Sequence, residues 1–358
     1  MIRERIWLEV LDEFRQLGGR AENVRLGEGP RGRGLFPTDP SQPVELYVPE
    51  NLLFPADEIK IQDGTLRIAD SRKRSTREGV WFERYAAELS WGAGGQQQVE
   101  EFVLGMQALP LVTRIELAKN WGFEFCLAPV SDQLLLDYYL QSRAIAYPFG
   151  EQRLVIQETS TPEPLGSNSA IMPIIELANH GPDASFSTDG GISLTGTFSE
   201  EVLVSYGRQD PWGLFKGWGI CSESFWALSR RVNLQTDFGP LTVTRDLQKG
   251  RVLENPQIGQ LWIPQLSVEE NGVGISFVTI GRLNLPRTPR AVFQKLFHEA
   301  NLPEADETFD RIRQANLLSF LQLLELLEDA EGPKARSLRK MVRFQLKAMA
   351  YCHGTRDL

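Results

Sequence analysis

Ile171 to Gly207 reads IMPIIELANHGPDASFSTDGGISLTGTFSEEVLVSYG. An apolar run ends in Glu176-Leu177-Ala178-Asn179-His180. A turn-rich middle follows, with Gly181-Pro182-Asp183 and Asp189-Gly190-Gly191. The close, Glu201-Val202-Leu203-Val204-Ser205-Tyr206-Gly207, is strand-like. Apolar and β-branched residues bounded by Gly, Pro and Asp read as short strands joined by turns. Asn179 and His180 end one apolar segment and Tyr206 ends another. If those ends converge, they form a partly buried site with few polar groups, as a small-molecule pocket requires.

Further motifs lie upstream and downstream. Gly29-Pro30-Arg31-Gly32-Arg33-Gly34 has the glycines of a dinucleotide fingerprint, but Pro37 and Pro40 exclude the helix that must follow. The glycines instead let the backbone approach a ligand closely. Tyr47-Val48-Pro49 ends a strand. Ser142-Arg143-Ala144-Ile145 closes a helical pattern, and Trp218-Gly219-Ile220 follows the organising stretch.

Gly32-Arg33-Gly34, Ser142-Arg143, Asn179-His180 and Ser205-Tyr206-Gly207, in this order, resemble the SET domains. These are protein methyltransferases that use S-adenosylmethionine. The likeness is to the branch that contains Rubisco large-subunit lysine methyltransferase, and it covers about residues 24–220. It implies cofactor contacts from Gly32, Arg33, Gly34, Arg143, Glu176, Asn179, His180 and Tyr206, with Tyr206 as the central catalytic group. It implies that Ile145 and Trp218 line the substrate channel, where the family has Phe and Tyr. It places Glu176 where the branch often has Asp. It also implies a C-terminal segment threaded beneath a loop.

The residue chemistry agrees with those roles. An Arg binds both oxygens of a methionine carboxylate and stays charged. Methyl transfer from a sulfonium to an amine is an in-line displacement in which positioning supplies much of the rate. Carbonyl oxygens and a Tyr hydroxyl around the methyl favour the polarised carbon. Structural alternatives stand beside each role: Arg143 as a helix-end cation, Tyr206 as a buried strand tyrosine, His180 as a structural histidine.

Composition narrows the partners. With 42% hydrophobic and 24% charged residues the chain is an ordinary globular one. Its net charge of −9 argues against nucleic-acid binding, which rests on phosphate neutralisation by Lys and Arg. The three cysteines are widely spaced and argue against a disulfide framework and a Cys-rich zinc site. His180, His298 and His353 form no His-Glu-x-x-His pattern, so no metal is expected. Neither a nucleophile elbow nor a phosphate loop occurs. No apolar run reaches the ~20 residues that span a bilayer. A cytoplasmic protein without membrane contacts is expected.

The patterning predicts an α+β chain: a SET-domain β-fold with a helical insert and a mainly helical C-terminal domain. Residues 3–17 carry helical spacing, so 1–80 reads as an N-terminal helix and the first part of the core. A helical insert covers 81–165, with a polar connector from Glu158. The second part of the core covers 166–225. A C-terminal hairpin and helical, substrate-binding-like domain covers 226–358. Its hairpin joins Leu261–Val268 to Val273–Val278 across Asn271-Gly272, and apolar stripes run along Leu317, Leu318, Leu321, Leu324 and Leu327.

The resulting expectation is an S-adenosylmethionine-dependent lysine N-methyltransferase of a non-histone protein. Two alternatives remain: a catalytically inactive SET-like binding module, and a methyltransferase whose acceptor is a histidine or an amino terminus.

Overall fold

A computed structural model describes residues 2–147, 169–181, 186–206, 209–247, 249–255, 259–270 and 272–350. Most of the expected connector, Pro182-Asp183, Gly207-Arg208, Asn271 and Cys352 lie outside them. Helices and short strands alternate, so the chain is mixed α and β. It forms two compact units, residues 1–103 with 129–207 and residues 104–128 with 208–358. Of the span 81–165, the helix Asp132–Arg143 belongs to the first unit and Leu111–Trp121 to the second.

The first unit is built on two packed helices. Ile2–Gln16 covers the periodic stretch expected from sequence and buries Trp7, Val10, Leu11 and Phe14. Arg77–Leu89 starts at Thr76, whose hydroxyl accepts from the Gly79 N–H at 3.1 Å. Its buried face carries Trp81, Phe82, Tyr85, Ala86 and Leu89 at helical spacing. The Trp81 ring stacks on Phe14 and on Tyr85 at 5.4 and 5.5 Å, and its Nε1–H donates to the Val10 carbonyl at 3.1 Å. A buried indole thus gains packing area while its one donor stays satisfied.

Small sheets hold the remaining segments. Val44–Pro49 lies between Arg20–Glu22 and Gly191–Gly196, antiparallel to both. Its Val44, Leu46 and Val48 point inward, the period of two expected of a half-buried strand. Val24–Gly29 and Gly32–Pro37 form a hairpin whose turn is Pro30-Arg31, with Gly32 at φ 87. Asn179–His180 pairs in parallel with Leu203–Val204. Among the described residues of the strand expected over Glu201–Gly207, two pair with Asn179–His180 and Val202 forms a bridge to Leu35.

The second unit has an aromatic centre. The Trp121 ring lies 4.6 Å from Trp212 and 4.8 Å from Phe320. Asp210 caps the helix Pro211–Trp218, accepting from the Gly213 N–H at 2.9 Å. The same buried carboxylate accepts from the Leu228 N–H at 2.9 Å, from Gln345 Nε2 at 2.7 Å and from Arg245.

Two expectations for this unit are corrected. Leu261–Val268 is not one strand. Gly259–Pro264 pairs with Gly250–Asn255, while Leu266–Glu269 pairs with Gly272–Ile275 in a four-stranded sheet. Pro264 ends the first because it has no N–H for a ladder. Short strands fill much of 226–282 before the helices Thr288–Glu299, Ala305–Leu326 and Pro333–Ala350. Along Ala305–Leu326 the buried face is Phe309, Ile312, Asn316, Ser319, Phe320 and Leu323, while Leu318 and Leu321 are exposed. Asn316 earns its inward place by donating to Ser229 Oγ at 2.8 Å and accepting from the Arg230 N–H at 2.9 Å.

Candidate functional site

The ends of the apolar segments in the first unit do converge. The Tyr206 hydroxyl donates to the Ala178 carbonyl at 2.8 Å. The Tyr206 N–H donates to His180 Nδ1 at 3.2 Å, and the two rings lie 5.2 Å apart. Asn179 Nδ2 donates to the Arg33 carbonyl at 3.1 Å and to Glu201 Oε1 at 2.6 Å. Gly34 sits against this contact. A Cβ there would lie 2.6 Å from both Asn179 Nδ2 and Glu201 Oε1, so any larger residue would push these side chains aside. The Arg33 side chain turns away and donates to the carbonyls of Leu89 and, at 2.6 Å, Ala93. Those carbonyls mark a helix C-terminus, where a cation is favoured.

Arg143 ends the helix Asp132–Arg143 and is held by Glu176. Its Nη1 donates to Glu176 Oε2 at 2.7 Å and to the Glu176 carbonyl at 3.2 Å, while Nη2 reaches Gln98 Oε1 at 3.2 Å. The Glu176 carboxylate also accepts from the Tyr85 hydroxyl at 2.7 Å and from Ser90 Oγ at 2.5 Å. Ser90 Oγ and the Tyr139 hydroxyl are 2.6 Å apart. The Glu176 side chain is 0% exposed and that of Arg143 19%, so a ligand meets Arg143 first. Just before Glu176, Ile174 takes φ 70, a conformation that β-branched residues rarely adopt, and its N–H donates to the Tyr85 hydroxyl at 3.1 Å.

Burial and neighbouring charges set the protonation states. Burial pushes the Tyr206 hydroxyl up to about 12, with Arg143 opposing and Glu176 and Glu201 adding. Tyr206 is therefore neutral at pH 7 and acts as a hydrogen-bonding group rather than a base. Burial lowers the pKa of His180; a backbone hydrogen bond with Val204 opposes this and the Arg31 charge reinforces it. A neutral imidazole accepting at Nδ1 carries its proton on Nε2, which makes His180 an anchor of the Tyr206 backbone. For Arg143 burial works against the charge, but Glu176 outweighs it and raises the pKa.

The structure thus brings Gly34, the Arg33 carbonyl, Asn179, His180 and Tyr206 together, with Arg143 and Glu176 in their electrostatic range. Ile145 is half-buried in the strand Ala144–Ala146, opposite Ala170. Trp218 ends a helix of the second unit. Gly32 sits at the hairpin turn, where an added Cβ would meet no atom within 4 Å. Sequence reasoning missed Tyr85, Ser90, Tyr139, Arg31 and Glu201. Only Glu201 left a trace, an acidic residue opening an apolar strand, which needs a partner once buried. Among the described residues no cluster of His, Cys, Asp and Glu could hold a metal, and no helix is long and apolar enough to cross a membrane.

Comparison with known proteins adds little chemistry. No family model matches the chain. Over 105 residues it is 33% identical to an uncharacterized protein of Aquifex aeolicus (strain VF5), covering 28% of this chain and 86% of that one. The chain belongs to the family of that protein. A crystal structure of the SET domain of LSMT bound to lysine and AdoHcy overlaps 98% of this chain and 90% of that one, at 12% identity and a TM-score of 0.41. A likeness that loose fixes neither fold nor activity.

Proposed function

We propose that the chain is an S-adenosylmethionine-dependent protein lysine N-methyltransferase with a SET-type core, acting on a non-histone protein. The observation that carries this reading is the meeting of the glycine turn, Asn179-His180 and Tyr206 around Ala178, with Arg143 in range. The residues present fit the cofactor. The backbone at Gly32 borders open space, the Asn179 amide oxygen has no donor among the described residues, and Arg143 is the outer member of the Glu176 network.

Gly32, Arg33 and Gly34 would hold the cofactor through backbone groups, Asn179 through its amide oxygen, and Arg143 through its cation, with Glu176 and His180 steadying that cation and the loop. The cofactor supplies a methyl group on a sulfonium. Tyr206, kept neutral by burial, aligns the acceptor amine beside the carbonyl oxygens. Ile145 is the candidate wall of the acceptor channel in the first unit. A dry apolar channel favours the neutral amine that attack requires.

The test is calorimetric titration with S-adenosylmethionine and S-adenosylhomocysteine, followed by mass spectrometry of peptides bearing lysine, histidine or a free amino terminus. Saturable binding and a methylated lysine are expected. Methyl on a histidine or an amino terminus would move the acceptor and leave the cofactor site standing. A second reading, a module without catalysis, draws on one observation: Glu176 already occupies Arg143. Absence of binding at millimolar cofactor would favour it.

A further inference from the structure

Glu201 has no task in the reaction as read above, yet it lies at the centre of the cluster. Its side chain is 3% exposed, and polar atoms so buried need hydrogen-bond donors. Those donors come from two distant parts of the chain. Oε1 takes the Asn179 amide N–H at 2.6 Å, and Oε2 takes the Arg31 guanidinium at 3.0 Å. Arg31 stands in the turn that leads into Gly32 and Gly34. Val202, next to Glu201, donates its N–H to the Leu35 carbonyl at 2.8 Å and keeps the two segments side by side.

The consequence falls on Asn179. Both hydrogens of its amide nitrogen are committed, one to the Arg33 carbonyl and one to Glu201. A flipped amide would aim its oxygen at a carbonyl and a carboxylate, two acceptors with nothing to offer it. The unflipped amide leaves Oδ1 as an acceptor with no donor among the described residues. A Cβ at Gly34 would press on both partners of this contact, at 2.6 Å from Asn179 Nδ2 and from Glu201 Oε1.

We propose that Glu201, with Arg31 as its counter-ion, is a positioning residue that fixes the Asn179 amide, so that its oxygen faces a hydrogen-bond donor of the cofactor. The assignment rests on reading this site as a cofactor site. The charge matters because a neutral group at Glu201 can present a donor as well as an acceptor, and the amide then loses its single orientation.

The experiment pairs two readouts on the full chain: calorimetric titration with S-adenosylhomocysteine, and solvent exchange of the Asn179 side-chain amide in protein labelled with nitrogen-15 at asparagine. Wild type, Glu201→Gln, Glu201→Ala, Arg31→Met and Arg31→Lys are compared, with melting temperatures to show that each folds. Glu201→Gln should speed amide exchange and weaken binding about tenfold, which is about 1.4 kcal/mol. Arg31→Met should weaken binding less, and Arg31→Lys should restore most of it. Unchanged exchange in Glu201→Gln, or faster exchange with unchanged affinity, overturns the assignment. If wild type itself binds no S-adenosylhomocysteine, the methyltransferase reading falls, and the role in cofactor affinity falls with it. Binding by wild type together with equal binding by Glu201→Gln removes the positioning role alone.

Discussion

Each unit contains a fully buried carboxylate paired with an arginine, and the two are satisfied differently. Glu176 in the first unit collects side-chain donors: the Tyr85 and Ser90 hydroxyls and Arg143. Asp210 in the second collects backbone N–H groups at a helix start and at Leu228, together with Gln345 and Arg245. Backbone donors cannot leave without unfolding the segments that carry them. Hydroxyls and a guanidinium can rotate and change partners within the fold. Asp210 is thus a cornerstone of packing. Glu176 holds a guanidinium that is 19% exposed, next to a tyrosine pushed up to about 12.

The sharpest way to break this comparison is to remove each carboxylate. Asp210→Ala and Glu176→Ala should each cost about 3–5 kcal/mol in denaturant unfolding, because each leaves an arginine half-buried without its anion. Only Glu176→Ala should also alter cofactor binding, measured on whatever fraction stays folded. An equal loss of binding in Asp210→Ala would erase the distinction.

Next in size is Tyr206→Phe. Losing a positioned hydroxyl should lower turnover roughly 100-fold while cofactor affinity stays near that of wild type. Turnover equal to wild type would remove Tyr206 from its role. A smaller effect is expected at the helix start that presents Tyr85. Thr76→Ala deletes the cap to Gly79 and should cost about 1 kcal/mol in thermal unfolding, without changing turnover per folded molecule.

The smallest effect concerns pH. The folded-state pKa of His180 lies below 6.5, so its contribution to stability is complete above 6.5 and is lost as pH falls through the folded value. Melting temperatures of wild type should therefore drop more steeply on acidification than those of His180→Gln. Parallel curves would show that this imidazole stays solvated.

What could be read in the sequence follows from the range of the forces involved. The helix Ile2–Gln16 was legible, because periodicity is local. The leucines of Ala305–Leu326 misled, because Asn316 and Ser319 are buried there by hydrogen bonds that hydropathy does not register. At the site the single residues Asn179, His180 and Tyr206 stood out at the ends of apolar runs. Their supports did not. Glu176 meets Tyr85 across 91 residues and Glu201 meets Arg31 across 170, and no local pattern marks such a pair.

That separation of Arg31 from Glu201 also sets an order of assembly. Closing a loop of this length carries an entropic cost that must be met before the contact rewards it, and contacts so distant in sequence form slowly. On the ribosome, a chain that has emerged only as far as Arg143 carries the tyrosine, the serine and the guanidinium of the site with no carboxylate to receive them. A chain stopped before Glu201 has the glycine turn and Asn179 but nothing to orient the amide. The cluster is then among the last parts of its unit to form during synthesis, and a nascent or truncated chain lacks it.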